Sequence, residues 1–350
     1  MDAFFVAVEL RRRPELRGQP VVVATGTDPN ARGVVMAASY EARKFGVHSA
    51  LPLATAHRRC PEMVLVPRDM ELYRQVSGQV MSILRDEVAR VEVVGLDEAY
   101  LDLGDSAFPK ADCRRLKHRI RAETGLVCSI GLAPNKLLAK IASDLDKPDG
   151  FCVLTPERML DAVGDRPAGL IPGVGPKTSQ RLGAAGIRTV RDLATADPEA
   201  LGRAVGPRLG PELQARANGI DERTVEPERE PKSESAETTF ARDVSEVEVV
   251  RETLDRLAAR VCERLARGGY RGRTVTVKVR LRPFRTFTRS QTLEAPTNDP
   301  ALVGPLAREL LGRVEMDAPV RLVGVGLSGL ERVNVRNGRS RTLTVTVRPR

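Results

Sequence analysis

The spacing of apolar residues predicts a series of short, mixed elements in the first third of the chain. VVVAT (Val21–Thr25) and GVVMAAS (Gly33–Ser39) are apolar runs with strand character, separated by a turn that contains Pro and Asn. Over Asp69–Val88, apolar residues recur at helical spacing, which predicts a long helix. The opening residues MDAFFVAVE have the pattern of a half-strand, buried, that runs into a helix. We therefore expect an α/β region here.

Two strand-like runs follow, with a pair of acids between them. VEVVGL (Val91–Leu96) and AYLDL (Ala99–Leu103) predict a hairpin, and Asp97 and Glu98 stand at its turn. Adjacent side chains of a strand point to opposite faces, so neighbouring carboxylates can share a target only where that alternation breaks. Paired carboxylates on a rigid sheet edge suit divalent cations that assist phosphoryl transfer. A solvated turn is the alternative interpretation.

The segment ASYEARKFGV combines a phenol with a guanidinium. Its pattern predicts a short helix, on which Tyr40 and Arg43 are three residues apart and therefore share one face. Together they can grip a triphosphate, because Arg is a bidentate clamp for phosphate oxygens and Tyr is a hydrogen-bond donor. A surface Arg beside a half-buried Tyr is the alternative.

A lysine-bearing helix is predicted within NKLLAKIASDLDKPDG (Asn135–Gly150). Lys136 and Lys140 are four residues apart and share one face of this helix. Lys147 follows the helix end and lies beside a proline, where its ammonium can reach a phosphate as a point charge. Ordinary surface and capping lysines are the alternative interpretation of all three residues.

A helix-hairpin-helix pattern follows the change in composition after Pro156. Within Ile171–Ala194, the glycines Gly173 and Gly175 predict a tight turn that exposes backbone N–H groups at a helix start. Lys177 lies at that helix start and is a further candidate contact. Such groups hold a DNA phosphate without reading a base. A plain αα-hairpin is the alternative.

One strand near the C-terminus separates apolar from basic side chains. The segment from Arg264 to Arg289 holds nine basic residues and no acid. Within Thr274–Arg282, apolar residues alternate with polar or basic ones, so that one sheet face is core and the other is cationic. A cationic face suits a nucleic-acid backbone and predicts salt-dependent binding; a solvated face is the alternative. The predicted DNA contacts are Lys278, Arg280 and Arg282.

Composition supports a globular protein with a polyanionic partner. The 350 residues are 41% hydrophobic and 29% charged, and their net charge is +10; an Arg-rich solubilising surface is the alternative. The five cysteines include no C-x-x-C pair, which predicts reduced core thiols rather than zinc ligands. No apolar run approaches the ~20 residues of a membrane helix, and no signal peptide is predicted. We therefore expect a cytoplasmic location.

Six motifs, taken in order, resemble the Y-family translesion DNA polymerases, and the bacterial DNA polymerase IV type in particular. They are DAFF, SYEARKFGV, LDEAYLD, NKLLAKIASDLDKPDG, GVGPKT and ETTFARDV, and the resemblance covers about Met1–Leu330. It implies an α+β multidomain fold shaped like a right hand. The implied divisions are a palm in residues 1–3 and 69–154, fingers in 4–68, a helix-hairpin-helix thumb in 155–221, a linker in 222–230, a little finger in 231–330 and a basic, disordered tail in 331–350.

The same resemblance implies roles for individual residues. Asp97 and Glu98 would ligate magnesium at a site of two ions, with Mn²⁺ able to replace Mg²⁺. Phe4 belongs to the nucleotide-binding motif. Phe5 would be the steric gate, because a ring packed under the sugar leaves no room for a 2′-hydroxyl. The residues implied to bind the incoming triphosphate are Tyr40, Arg43 and Lys147.

The implied reaction is attack of a primer 3′-OH on the α-phosphate of a dNTP, with pyrophosphate leaving. The implied enzyme is an error-prone, low-processivity DNA-dependent DNA polymerase for translesion synthesis, without proofreading. The expected partners are primer–template DNA and dNTPs, and we expect a nucleoid-associated monomer that does not bind a membrane. The sliding clamp is a further partner that the family suggests, although Asn334–Arg350 contains no recognisable clamp-binding peptide.

The start of the chain departs from the family pattern. The family writes D-x-D-x-F-F or D-x-D-x-F-Y, and Asp2 matches the second acid, so the first metal ligand would fall one residue before Met1. We do not expect Asp2 to replace it, because neighbouring strand positions point elsewhere. Two hypotheses follow, a misassigned start and a catalytically impaired, DNA-binding accessory protein. A nucleotidyl cyclase with a related palm is disfavoured by the helix-hairpin-helix and the basic strand.

Overall fold

The structure is a computed structural model that describes residues 1–29 and 31–333 of the chain. The chain divides between Glu228 and Arg229 into two compact units, which we call the N-terminal and C-terminal units. Each unit has a hydrophobic core of its own. None of the helices in the described ranges combines the length and apolar character that a membrane crossing requires.

The N-terminal unit alternates helices with short strands. Its helices are α1 (Phe4–Arg12), α2 (Tyr40–Arg43), α3 (Leu53–Arg59), α4 (Met70–Glu87), α5 (Pro109–Thr124), α6 (Lys136–Leu145), α7 (Pro156–Val163), α8 (Pro176–Ala184), α9 (Val190–Thr195), α10 (Pro198–Val205) and α11 (Leu209–Ala217). Its strands are β1 (Val21–Ala24), β2 (Val35–Ala38), β3 (Val64–Pro67), β4 (Arg90–Val93), β5 (Ala99–Asp102), β6 (Ile130–Leu132) and β7 (Phe151–Val153).

The opening residues form helix α1, so the prediction of a strand there is wrong. Phe4, Val6 and Val8 are all buried, and their alternation resembles a strand pattern. On a helix these positions spread around the axis, and α1 buries them because it contacts β1, β2 and α4. Ala3 has a left-handed φ of 45°, which turns the chain into the helix immediately after Asp2.

Small sheets form the framework of the N-terminal unit. Strand β1 pairs antiparallel with β2 and parallel with β3, and every residue of β1 is buried. The two apolar strands predicted in this region are therefore confirmed. Strands β4 and β5 pair antiparallel, which confirms the predicted hairpin around the acidic pair. Strands β6 and β7 form a further two-stranded sheet, in which they are parallel.

Side-chain caps define the starts of two helices that border the candidate site. Asp69 Oδ1 accepts a hydrogen bond from Leu72 N at 3.1 Å at the start of α4. Asn135 Oδ1 accepts one from Leu138 N at 2.9 Å at the start of α6. Each cap satisfies a backbone N–H that a helix start leaves unpaired and contributes about 1 kcal/mol. Both helices lie where their periodicity predicts them.

Helices α7 to α11 surround a separate part of the N-terminal core. Gly173 has φ +101° in the turn before α8, and Gly186 has φ +81° in the turn before α9. This positive φ favours glycine at position 173, because a Cβ there would strain the backbone. Helices α8 and α9 confirm that two helices joined by a glycine-containing turn lie within Ile171–Ala194, as predicted.

The C-terminal unit is a four-stranded antiparallel sheet with two helices packed on one face. Its elements are β8 (Ser233–Val244), α12 (Val247–Gly268), β9 (Tyr270–Leu281), β10 (Arg285–Thr297), α13 (Pro300–Gly312) and β11 (Val320–Arg332). The strand order is β10-β9-β11-β8. The alternation predicted for β9 is confirmed, because Val275, Val277, Val279 and Leu281 are each 0% exposed.

This sheet begins inside the little-finger boundary of 231–330 and extends past its end. Strand β8 begins at Ser233, shortly after that boundary. Strand β11 continues to Arg332, because the backbone groups of Glu331 and Arg332 pair with β9 and are satisfied there. The expected tail therefore does not begin at residue 331. Residues 334–350 of that tail lie outside the described residues.

Candidate active site

The turn between β4 and β5 presents Asp97 and Glu98 side by side. Val94 N and Gly95 N both donate hydrogen bonds to Glu98 O, at 3.0 and 3.1 Å. These bonds close the turn and break the strand alternation at the acidic pair. Asp97 is exposed and Glu98 is half-buried. The amino group of Met1 donates to Asp97 O at 2.6 Å, so the first residue also lies at this turn.

The acidic pair lies on the wall of a cavity of about 670 Å³ in the N-terminal unit. This volume is in the range of small-molecule sites, which are commonly ~300–1,000 Å³. Of the residues implied to bind the metal or the nucleotide, Asp97, Glu98 and Lys147 line this cavity. Within the described part of the chain, Phe4, Phe5, Tyr40 and Arg43 do not line it.

Two lysines neutralise acids at this cavity. Lys140 Nζ lies 3.0 Å from Glu98 Oε1 and 3.9 Å from Asp144 Oδ2. Lys147 Nζ lies 2.6 Å from Asp144 Oδ1. Burial lowers the pKa of Lys140, but its hydrogen bond to Glu98 and its attraction to Asp144 outweigh burial and raise the pKa above its ordinary value. Asp144 therefore joins the two lysines into one network.

Tyr40 and Arg43 lie together on α2. The Arg43 guanidinium is 4.6 Å from the centroid of the Tyr40 ring, and its Nε donates to Ala38 O at 3.1 Å. The Tyr40 hydroxyl is buried and has no hydrogen-bond partner among the described residues. Burial raises the pKa of Tyr40, and the negative charges of Asp2 and Asp144 add to this rise. Tyr40 and Arg43 therefore form an aromatic–cation pair on α2.

The two phenylalanines at the start of α1 have different surroundings. Phe4 is 2% exposed and belongs to the core, so any contact with a nucleotide would come from its backbone. Phe5 is partly buried, and its ring stacks on Tyr73 with 4.6 Å between centroids. Tyr73 is buried, and its hydroxyl donates to Glu9 Oε1 at 2.8 Å. Phe5 therefore rests on a ring that a buried hydrogen bond holds in place.

Asp2 is engaged by neighbours away from the acidic turn. Its side chain is 3% exposed. Ser129 Oγ donates to both of its carboxylate oxygens, at 3.0 and 2.8 Å, and Asp149 N donates to one of them at 2.9 Å. The expectation that Asp2 points elsewhere than the acidic pair fits these contacts.

The cavity offers oxygen donors of the type that magnesium prefers. Asp97 and Glu98 are hard carboxylate ligands. Among residues 1–29 and 31–333, no group of three or more His, Cys, Asp or Glu side chains is arranged to hold a metal ion. Magnesium is commonly bound through one or two carboxylates together with water and substrate phosphates. Two carboxylates on an open cavity fit such a site, which a nucleotide would complete.

A second lysine–acid pair lies at the cavity and was not predicted from the sequence. Lys136 Nζ lies 2.6 Å from Glu92 Oε2 and donates to Thr224 O at 3.1 Å. Both charged side chains are largely buried. Lys136 and Lys140 share a helix face, as their spacing predicts, but each meets a different acid. The charged residue inside the apolar run VEVV was the signal that could have indicated this pair.

The segment just before the unit boundary is bound to the N-terminal unit. Arg90 Nη2 donates to Val225 O at 2.9 Å, and Glu226 N donates to Glu92 Oε2 at 2.9 Å. The first part of this segment, up to Val225, also lines the cavity. Residues 222–225, which the sequence presents as the start of a linker, are therefore part of the wall of the candidate site.

The helix-hairpin-helix candidates lie on one exposed turn. Gly173, Gly175 and Lys177 are all exposed. Gly175 is the N-cap of α8, and no side chain caps this helix start within the described residues. Backbone N–H groups at an uncapped helix start are suited to a phosphate oxygen. The arrangement is therefore able to hold a nucleic-acid backbone.

The basic side chains of β9 occupy the face of the sheet opposite the core, but this face is not purely cationic. Lys278 Nζ lies 2.7 Å from Glu237 Oε2 on β8. Gly324 of β11 stands between them in the register, and its lack of a side chain lets the pair meet. The prediction of a cationic face did not include this acid, because it comes from β8, which lies two strands away from β9 in the sheet. Arg280 lies farther along β9, and Arg282 follows Leu281, the last residue of that strand.

Protein-family models match most of the chain. The model described as the impB/mucB/samB family matches residues 1–144, and the model of the C-terminal domain of that family matches residues 231–347. A model described as a SAM-like helix-hairpin-helix tandem matches residues 170–226. The three matches follow the order of the motifs in the sequence.

Similar proteins extend over nearly the full chain. DNA polymerase IV of Methanoculleus marisnigri is 45% identical over 337 residues, which cover 95% of this chain and 93% of the relative. DNA polymerase IV of Streptomyces coelicolor is 47% identical over 340 residues, which cover 94% of this chain and 70% of the relative.

Solved structures with the same fold are Y-family DNA polymerases. A chimera of the polymerases Dbh and Dpo4 matches with a TM-score of 0.82 and 28% identity, covering 94% of this chain and 96% of the chimera. A structure described as an insertion ternary complex of Dbh DNA polymerase matches with a TM-score of 0.66 and 27% identity, covering 93% and 96% of the two chains.

Proposed function

This chain belongs to the impB/mucB/samB family of Y-family translesion DNA polymerases, and on that premise we propose that the cavity beside Asp97 and Glu98 is where it extends a primer. The protein is a DNA-directed DNA polymerase of the DNA polymerase IV type, with the α+β multidomain fold of that family. The observation that carries the proposal is the meeting of two carboxylates and two lysines at one open cavity.

The reaction joins a nucleotide to the primer end. The primer 3′-OH loses its proton to solvent, its oxygen forms a bond to the α-phosphorus of a dNTP, the bond from that phosphorus to the bridging oxygen breaks, and pyrophosphate leaves. Asp97 and Glu98 would hold the divalent ions that Y-family polymerases require, generally Mg²⁺. When bound, such ions neutralise phosphate charge and favour the 3′-alkoxide. Two ions at this site, with Mn²⁺ as a substitute, are part of the proposal.

Tyr40, Arg43 and Lys147 are proposed to position the triphosphate. The buried Tyr40 hydroxyl lacks a partner in the described chain, and a phosphate oxygen would satisfy it. Arg43 stands over the same ring, and Lys147 is held at the cavity by Asp144. Positioning of the reactants and neutralisation of their charge account for most of the catalysis expected in phosphoryl transfer.

Phe5 is proposed to be the steric gate against ribonucleotides. Its ring is stacked on the buried Tyr73, so it cannot yield easily to an additional hydroxyl. The core position of Phe4 limits that residue to a backbone contact with the nucleotide.

Two surfaces are proposed to hold the duplex. One is the uncapped turn of Gly173, Gly175 and Lys177, and the other is the face with Lys278, Arg280 and Arg282. Both suit the phosphate backbone and neither reads a base, which fits a polymerase that copies any template. Low processivity, frequent errors and the lack of proofreading are inferred from the family.

Partners beyond DNA and dNTPs stay predictions. Binding to the sliding clamp, a monomeric state and a nucleoid-associated, cytoplasmic location follow from the family and from the DNA substrate. The same holds for the division of the chain into palm, fingers, thumb and little finger, for which the two compact units and their separate cores are the present support.

A primer-extension assay tests the assignment of the acidic pair. Asp97→Asn and Glu98→Gln are each expected to lower the rate by roughly a hundredfold or more, because each removes a carboxylate that would hold a divalent ion against the phosphates. Asp102→Asn is the matched control, since Asp102 is an acid of the same hairpin that pairs with Arg90. DNA affinity, measured in parallel by fluorescence anisotropy, should stay nearly constant in all three variants.

The alternative function, a catalytically impaired DNA-binding accessory protein, is not favoured, because the similar proteins are DNA polymerases. The same assay separates the two functions. If the unmodified chain binds primer–template DNA but fails to extend it with either Mg²⁺ or Mn²⁺, the alternative replaces the proposal. If Asp102→Asn loses as much primer extension as Glu98→Gln, a specific role for the turn of Asp97 and Glu98 is contradicted.

A further inference from the structure

The turn between β9 and β10 exposes an aromatic ring on an unusual backbone. Phe284 is 63% exposed, and its φ of +117° lies in the region that favours glycine. Its N–H donates to Leu281 O at 2.8 Å, which holds the turn in this form. Burial in the core of the C-terminal unit therefore does not explain why a phenylalanine occupies this position.

Two arginines approach the exposed ring. The Arg321 guanidinium carbon is 4.5 Å from the ring centroid, and that of Arg280 is 6.0 Å away. Arg280 Nε also donates to Thr286 Oγ1 at 2.8 Å, which restrains this arginine. Cation–π contacts limit the positions that the ring can take. We call Arg280, Phe284 and Arg321 the tip cluster.

The surroundings of the tip cluster are positively charged. Arg282 and Arg285 lie on either side of the turn, and both are exposed. Arg285 pairs with Asp317, which leaves the arginines around the ring in excess over the acid. An aromatic ring among arginines is typical of sites for single-stranded nucleic acid, where bases stack on rings and phosphates meet cations.

A protein partner fits this surface less well. Aromatic anchors of protein interfaces usually lie among other apolar side chains that exclude water, in a region depleted of charge. The neighbours of Phe284 are arginines instead. The chemistry of the tip cluster therefore favours a polyanion that also carries exposed π-faces.

We propose that the tip cluster binds an unpaired base of single-stranded DNA, with the base stacked on Phe284 and a flanking phosphate beside Arg321. In a polymerase this strand is template that is not yet copied, and this identification of the strand rests on the proposed function. Stacking requires no base-specific hydrogen bonds, because every base has a π-face. The site would therefore accept altered bases as well as normal ones.

The absence of tryptophan from the sequence allows a direct test with the full chain. Phe284→Trp introduces a single tryptophan, which can be excited selectively, at the tip cluster. Phe108→Trp is the matched control, because Phe108 is 73% exposed in the other unit. Titration with a thymidine oligonucleotide is expected to quench the fluorescence of Phe284→Trp and to leave that of Phe108→Trp nearly unchanged. An abasic oligonucleotide of equal length should quench neither variant.

Affinity measurements give a second, independent readout. Phe284→Ala should bind a labelled single strand about five- to hundredfold more weakly than Phe108→Ala, from the stacking energy of one base. Its affinity for a blunt duplex should stay within about twofold. Circular dichroism checks that each variant folds, and the tryptophan variant, which keeps an aromatic ring, covers a failure of the alanine variant.

Several outcomes would overturn the proposal. Equal quenching by the abasic and thymidine strands would show that the backbone alone is bound, and equal weakening on single strand and duplex would show a general surface effect. These titrations contain no dNTP, so they are independent of primer extension. If the protein extends primers but shows no base-dependent quenching, base binding at the tip cluster is contradicted and the proposed function stands.

Discussion

The negative charge of Glu98 is balanced by the side chain of Lys140. Lys140 Nζ lies 3.0 Å from its carboxylate, and both side chains are about a third exposed. A divalent ion and an ammonium would compete for the same oxygens, because both are drawn by the same negative potential. Lys140 is therefore expected to set how strongly the acidic pair attracts a metal before DNA and nucleotide arrive.

Replacing this lysine should strengthen metal binding to the DNA-free protein. Lys140→Gln is expected to bind Mn²⁺ about two- to fivefold more tightly, the range that a solvent-screened ion pair supports. Free Mn²⁺ can be measured by electron paramagnetic resonance during a titration. Lys110→Gln, at an exposed lysine of α5, controls for the change in net charge. Equal affinities of the two variants would contradict the competition.

Among the helices and strands, α6 and β4 are joined by a buried charge pair that also holds the segment before the unit boundary. Glu92 accepts from both Lys136 and Glu226 N, and Lys136 donates to Thr224 O. One interaction thus connects a helix, a hairpin strand and the segment that lines the cavity. Breaking it would leave a buried acid without its cation, which is costly.

Lys136→Met is expected to destabilise the N-terminal unit by about 3 kcal/mol, because Glu92 remains buried and unpaired. Chemical denaturation followed by circular dichroism measures the effect. The double variant Glu92→Gln with Lys136→Met should recover part of the loss, since it removes the uncompensated charge. If the double variant is less stable than Lys136→Met alone, the pair does not act through the buried charge.

The pH dependence of the same pair has a defined sign. Burial raises the pKa of Glu92, but the Glu226 amide and Lys136 outweigh burial and leave the pKa below its ordinary value of 4.5. The pair therefore stabilises the fold above that value, and this contribution is lost as pH falls through the lowered pKa. The stability difference between the unmodified chain and Lys136→Met should shrink from about pH 7 to about pH 3.5.

For the chain as a whole, the strength of DNA binding depends less on the net charge of +10 than on where acids lie on the proposed binding surfaces. On the C-terminal unit, Glu237 forms an ion pair with Lys278 and thereby neutralises one cation of the face proposed to bind DNA. A phosphate would have to displace this acid before Lys278 could contribute to binding. The ion pair is therefore expected to weaken DNA binding. The number of basic residues in the sequence alone would overestimate this binding.

Glu237→Gln should free Lys278 and tighten binding to duplex DNA. The slope of log K against log salt concentration is expected to steepen by about 0.9, the value for one additional phosphate contact. Fluorescence anisotropy over a range of salt concentrations measures both quantities. Glu263→Gln is the control, because this exposed acid pairs with Arg267 on α12. Identical slopes for the two variants would contradict an effect of the released lysine.

Features that depend on near neighbours along the chain were predictable. Helix α6 follows from its helical periodicity, and the core face of β9 from alternation, because the repeat of each element places side chains on one face. The acidic turn of Asp97 and Glu98 also follows from local pattern, since two apolar runs enclose it. These local features, together with the order of motifs, were enough to identify the family.

Pairings between distant residues required the folded chain. Burial of α1 against β1, β2 and α4, rather than alternation, explains why its opening residues are helical. Lys140 meets Glu98, and Lys278 meets an acid of β8 across a glycine, because packing and strand register bring them together. No spacing rule connects such residues, since long-range contacts depend on the path of the whole chain. The charge balance of the candidate site is therefore a property of the tertiary fold.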